Sequence, residues 1–215
     1  MIKADLHIHT CYSHDCCTSL EQIVNRCLEV GLDCIAITDH NTIAGALELE
    51  RIAPFRVIVG AEVLTALGEL MGLFLREEVP QGLSPLETAA RIKQQGGLVG
   101  IPHPFGRWPL QNSHRLLSPD LLEQVDFIEV FNSRSPFSGA SDKARALALK
   151  YDKQSSAGSD AHTVGEIGRA YVEMPEFESA EDFLQSLSRS SVFGEKSSNL
   201  VHFFTMLARV RKLFC

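Results

Sequence analysis

The chain has 215 residues, 45% of them hydrophobic and 22% charged, which suits one globular domain with an ordinary core and leaves too little chain for two. Twenty Lys and Arg against 27 Asp and Glu give a net charge of −7, which argues against a protein that grips long nucleic acid through a basic face. No apolar run reaches the ~20 residues that span a bilayer, and no basic segment followed by an apolar one opens the chain, so a soluble, cytoplasmic protein without membrane partners is expected, its six cysteines reduced.

Strand and helix patterns alternate along the whole chain, which predicts an α/β fold with a mainly parallel sheet or barrel. Residues 2–9 read as a strand, with Ile2, Leu6 and Ile8 interleaved among polar residues. A helix follows from Leu20, where Leu20, Ile23, Val24, Cys27 and Leu28 recur at helical spacing; Thr18 with Glu21, or Ser19 with Gln22, offers a capping box, and Gly31 ends it. Residues 33–38 form an apolar strand, 43–52 a short helix and 56–59 a third strand, after which 62–75 lean to two short strands. Ser84-Pro85-Leu86-Glu87 opens a helix closed by Gly96 and Gly97, and 98–101 make the next strand. Ser118 and Pro119 start a short helix, 126–131 a strand, 138–151 an Ala- and Leu-rich helix, and 155–157 lead into Ser-Asp-Ala-His. Ser179 caps a helix to about Leu187, and 199–215 hold a basic, amphipathic terminal helix that covers the barrel as part of one domain spanning 1–215.

Histidines and carboxylates gather where these strands end. Asp5, His7 and His9 close the first, Asp39 and His40 the second, Glu62 the third; His103, Glu129 with Asn132, and Asp160 with His162 follow later ones. In a barrel that rim carries the active site. Strand periodicity projects Asp5, His7 and His9 to one face, with Leu6 and Ile8 opposite. Imidazoles converging with carboxylates suit borderline divalent ions such as Zn, Mn or Fe, and acids sharing one site call for more than one ion. Six of the eight histidines (7, 9, 14, 40, 103 and 162) fit this pattern, whereas His114 and His202 read as structural. Cys11, Cys16 and Cys17 lack the paired spacing of a thiolate zinc site, and Cys34 reads as core.

The segments DLHIHTCYSHD, AITDHNTIAG, GAEV, IPHPF and AGSDAH, in this order over residues 5–170, resemble the PHP (polymerase and histidinol phosphatase) superfamily of metal-dependent phosphoesterases. The resemblance implies a distorted (β/α)7 TIM-like barrel holding two or three divalent metal ions at the strand C-terminal ends. It implies His7, His9, Glu62 and Asp160 around one ion, with Glu62 bridging to a second helped by His103. A third would sit among His40, His162 and one of His14 and Asp15, His14 being the favoured choice. Asp5 and Asp39 are then expected to orient imidazoles. Many members carry a second-site His where Met71 stands here, and a thioether is a poor ligand for such ions, so Glu69, Glu129 or Asn132 would have to serve.

Hydrolysis of a phosphate ester by a metal-activated water is the implied reaction, with Glu62, Asp160 and His162 at its centre and Arg107 and Arg134, on rim loops, gripping phosphate. Phe105 and Trp108 could stack on a ring. The short interval from Glu62 to His103 leaves no room for an inserted domain, which weakens an analogy with nucleotide-bisphosphate phosphatases and leaves phosphomonoesterase, phosphodiesterase and nuclease of short oligonucleotides open; the acidic charge balance favours a small phosphorylated substrate, and a phosphomonoesterase is the expectation. A metal-binding accessory domain without turnover and a metal-dependent amidohydrolase are the competing readings.

Overall fold

The computed structural model describes residues 1–106, 116–198 and 200–212, so Arg107, Trp108 and His114 lie outside the described residues, as does the side chain of His202. Its elements are β1 (Ile2–Ile8), α1 (Leu20–Val30), β2 (Cys34–Ile37), α2 (Ala44–Ile52), β3 (Arg56–Thr65), β4 (Gly68–Leu73), α3 (Pro85–Gln94), β5 (Leu98–Ile101), α4 (Pro119–Gln124), β6 (Phe127–Asn132), α5 (Ala140–Lys150), β7 (Gln154–Gly158), β8 (Ala170–Met174), α6 (Ala180–Leu187), β9 (Ser191–Gly194) and α7 (Val201–Lys212). Local chemistry sets the helix ends. Ser19 and Gln22 form the capping box of α1, and Gly31 closes it in the left-handed region. Ser84 and Ser118 each accept a backbone N–H ahead of a first-turn proline.

Strands β1, β2 and β3 run parallel, β4 is antiparallel to both β3 and β5, and β5, β6 and β7 are again parallel. The ring nearly closes where the chain leaves β7: Asp160 N donates to His7 O at 2.8 Å and His9 N to Ala161 O at 3.0 Å. The fold is therefore a distorted seven-stranded TIM-like barrel in which the β3–β4 hairpin replaces one strand–helix unit. β3 runs through Glu62 instead of stopping near Val59, and two additional strands extend the sheet, β8 laid antiparallel along the start of β1 and β9 antiparallel along β8.

Leu6, Ala36, Ile58, Met71, Leu98, Phe127 and Ala157 come one from each of the seven strands and form a single cluster, the barrel interior, which Phe177 and Phe183 plug at the strand starts. A second cluster joins Ile35, Ile37, Val59, Val99 and Ile128 to Ile23, Leu49, Ile92 and Leu121 of the surrounding helices. The interior is tight enough to dictate glycines. A Cβ on Gly158 would lie 2.3 Å from His7 Cβ, so Gly158→Ala is expected to cost about 1–3 kcal/mol by overpacking and to displace His7. Urea denaturation checks the first effect and metal titration the second.

Leu6 belongs to the interior and Ile8 to the helix-facing layer, a break in alternation that coincides with a register shift between Asp5 and Ile8. This bulge turns His7 and His9 inward together and leaves Asp5 outside. The expectation that Asp5 projects with the two histidines is corrected accordingly.

Candidate metal centre

Strand ends and the turns after them bring eight candidate ligands into one nest beneath the rim. His7, His9, Asp15, Glu62, Asp160 and His162 are buried, His40 nearly so, and His103 joins them from the turn after β5. His103 and Asp160 both hold positive φ, 28° and 55°, conformations that cost an L-residue energy and recur where a side chain must be aimed at a site.

His7 Nδ1 meets Glu129 Oε1 at 3.0 Å, so the carboxylate fixes that nitrogen as the N–H and turns Nε2 to the nest. There His7 Nε2 lies 3.1 Å from His9 Nε2, 3.6 Å from Glu62 Oε2 and 3.6 Å from Asp160 Oδ1. His9 Nε2 lies 3.5 Å from the same Glu62 oxygen and 3.3 Å from the same Asp160 oxygen. His7 Nε2, His9 Nε2 and Asp160 Oδ1 thus lie 3.1–3.6 Å from one another, with Glu62 Oε2 at 3.5–3.6 Å from both imidazoles, a donor set that suits a zinc-class ion.

Beside it, His162 Nδ1 donates to Asp160 O at 2.8 Å and thereby points Nε2 at Asp15 Oδ1, 3.3 Å away. His40 Nε2 faces Asp15 Oδ2 at 3.5 Å, and its Nδ1 faces Glu62 Oε2 at 3.2 Å. Glu62 Oε1 meets His103 Nε2 at 2.8 Å, so this one carboxylate touches both halves of the nest and a third edge besides.

The donor set fits divalent ions. Asp15 Oδ1, His40 Nε2, Glu62 Oε2 and Asp160 Oδ1 are buried and lack hydrogen-bond partners, and all four point into the nest. Carboxylates and imidazoles held this close, with partners still lacking, make a set that a cation can satisfy. The electrostatics agree. Burial disfavours ionised Glu62 and Asp160, yet the surrounding imidazoles hold both well below the usual carboxylate range. Burial also opposes charge on His40, but Glu62 and Asp15 raise it to about 9. His9, by contrast, is pushed well below its ordinary value by burial and by His162.

Several expectations are revised. His14, the favoured partner of His40 and His162, is 61% exposed with its Nε2 3.9 Å from Asp15, whereas Asp15 is buried between those two imidazoles. His14, Asp15 and His40 can each offer an atom to one ion, with Asp15 the deeper placed, and Asp15→Asn is expected to remove one ion per chain while His14→Ala keeps it, as read by elemental analysis. Asp5 and Asp39 orient no imidazole. Asp5 accepts the N–H groups of Ser159 and Gly168, and Asp39 takes both the N–H and the hydroxyl of Thr10 at 2.6 Å, so both shape turns. Burial raises the Asp5 pKa to about 6.

Arg134 does not stand free to grip phosphate. It is 6% exposed and donates to Asp160 O, Val201 O and Thr205 Oγ1 while pairing with Glu166 at 3.3 Å. Met71 lies opposite Glu62 in the β3–β4 ladder, in the apolar interior, and Glu69, two residues before it, is the group that approaches His40 Nδ1, at 3.9 Å.

Glu166 and Ser13 were not foreseen. Glu166 accepts His162 N and Thr163 N; its only signal is the Thr163-x-x-Glu166 capping pattern. Ser13 Oγ accepts His40 N and meets His9 Nδ1 at 3.1 Å, which the sequence does not announce.

The fold and the nest define an α/β barrel with a candidate metal centre at its strand ends. The family PHP_C, described as PHP-associated, matches residues 139–192. Two uncharacterized proteins of Methanocaldococcus jannaschii are relatives: MJ1587, 41% identical over 145 residues (61% of this chain, 82% of the relative), and MJ0417, 36% identical over 179 residues (81% and 71%). In fold the chain is similar to a two-domain Bacteroides vulgatus protein described as containing a predicted PHP-like metal-dependent phosphoesterase, with TM-score 0.73 and 18% identity over 95% of this chain and 69% of that one.

Proposed function

We propose that the chain is a metal-dependent hydrolase of phosphate monoesters, acting on small phosphorylated molecules. The observation that carries this reading is Glu62, whose two oxygens reach His103 on one side and His7, His9 and His40 on the other, an arrangement suited to adjoining ions that share one carboxylate. His7, His9, Glu62 and Asp160 would hold one ion, and Asp15, His40 and His162 another; a further ion would use Glu62 and His103. Divalent ions bound there would lower the pKa of a water and take up charge on the phosphate oxygens.

The residues themselves do the rest. Glu129 holds His7 in the tautomer that presents Nε2, and the Asp160 carbonyl does the same for His162. The buried walls keep bulk water from the carboxylates and strengthen each charge interaction. Water adds to phosphorus, the ester P–O bond breaks, and the alcohol leaves with a proton. No serine or cysteine nucleophile is required, and burial raises the Cys16 thiol to about 12. No helix among the described residues is long and apolar enough to cross a membrane, which fits substrates met in water.

The test is turnover of p-nitrophenyl phosphate and of bis-p-nitrophenyl phosphate by chelator-stripped protein before and after Mn²⁺. Restored monoester hydrolysis is the expected result. Restored diester hydrolysis alone overturns the monoesterase reading in favour of a phosphodiesterase, and metal binding without turnover of either overturns it in favour of an accessory domain.

A further inference from the structure

Helix α7 is built the wrong way round for a surface helix. Its residues Phe203, Met206, Leu207 and Val210 are exposed, and no described residue in it is buried. An amphipathic helix that merely covers a barrel turns its apolar stripe inward. Here polar contacts tie the helix to the rim. Val201 O and Thr205 Oγ1 receive Arg134; Arg209, one turn further, donates to Asp15 Oδ2 at 2.8 Å; Lys212 reaches the carbonyls of Cys11 and Ser13. Positions 201, 205, 209 and 212 lie along one helix face.

Two further features concern what this face does. The first turns of α7 are tied to the centre by a buried residue, since Arg134 also bonds Asp160 O and Glu166. The last turns carry Arg209, Arg211 and Lys212, a cationic end set beside a cluster of acids. The Arg209 side chain is 53% exposed although it touches buried Asp15, so the guanidinium spans from the nest to its mouth.

We propose that α7 is a lid across the metal centre and that Arg209 on its inner face receives the phosphate group of the substrate. The inference rests on the phosphomonoesterase reading and names the residue that holds the anion, a role the sequence had pointed toward Arg107 and Arg134. Asp15 Oδ2 is shared by Arg209 and His40. A cation held by Asp15, His40 and His162 would compete with Arg209 for that oxygen and would leave the guanidinium fork to an anion at the mouth. A planar fork matches two phosphate oxygens, which a lysine cannot do. With few buried apolar contacts, α7 is held by polar bonds that an incoming anion can replace.

The experiment uses full-length protein loaded with Mn²⁺ and the variants Arg209→Ala and Arg209→Lys. Equilibrium dialysis measures inorganic phosphate binding, limited trypsin digestion measures access to Arg211 and Lys212, and steady-state assays separate KM from kcat. Arg209→Ala is expected to weaken phosphate binding by about ten- to a hundredfold, the worth of a hydrogen-bonded charge, and to raise KM for p-nitrophenyl phosphate far more than it lowers kcat. Arg209→Lys falls between, and metal content stays that of the parent. Phosphate slows cleavage of α7 in the parent and not in Arg209→Ala. Unchanged phosphate affinity and protection in Arg209→Ala overturn the lid. Phosphate binding that depends on Arg209 in a protein that hydrolyses no ester upholds the lid and overturns only the catalytic reading.

Discussion

Glu62→Gln is expected to remove more than one ion per chain and to lower phosphomonoester turnover by at least about a thousandfold, roughly 4 kcal/mol of barrier. The reason is position. Glu62 is wholly buried, its Oε2 is within 3.6 Å of His7, His9 and His40, and its Oε1 is 2.8 Å from His103. An amide keeps the shape but offers one neutral oxygen, so neither group of ligands retains a shared anion. The variant is checked by elemental analysis and by thermal melts with added Mn²⁺. The parent gains stability with the ion concentration because only its native state binds, whereas the variant gains little. A variant that keeps the parent's metal content and its Mn²⁺-dependent melting shift contradicts the shared role of Glu62.

Arg134→Ala is expected to destabilise the native state by about 3 kcal/mol, the scale for removing one partner of a buried ion pair. Arg134 and Glu166 side chains are 5% and 2% exposed, and the guanidinium also holds Asp160 O and the start of α7. Deleting it strands the Glu166 carboxylate, which at the same time accepts the N–H of His162 and Thr163. Lysine at 134 should not restore the loss, since it lacks the fork that serves four partners at once. Urea denaturation gives the stability, and faster tryptic cleavage of α7 marks its release. A loss below about 1 kcal/mol would place Arg134 among ordinary surface pairs.

The parts of this fold that the sequence declares are the local ones. The Ser19–Gln22 box, the Ser84-Pro85 and Ser118-Pro119 starts and the left-handed Gly31 all stand where spacing and caps place them, because each is decided within a few residues. β8 escapes notice, although Ala170–Met174 alternates buried and half-buried residues, because its pairing with β1 is settled far away in the chain, and β9 follows it as the next strand out. The histidines and acids of the nest are legible as a group, since strand ends in a barrel converge. Their individual orientations are not. A one-residue bulge moves Asp5 away from His7 and His9, and the turn in which Ser13 N bonds Thr10 O and Cys16 N bonds Ser13 O decides that Asp15 faces inward and His14 outward. Arg134 departs from its expected role for a similar reason: only the path of α7 across the rim shows that its guanidinium is buried, while that of Arg209 stays half exposed beside Asp15.

The most direct measurement is an anomalous difference map from crystals of the full chain equilibrated with Mn²⁺. The metal centre described above predicts the strongest peak amid His7, His9, Glu62 and Asp160, with a second amid Asp15, His40 and His162. A map whose peaks all lie elsewhere, with none in this nest, would contradict it.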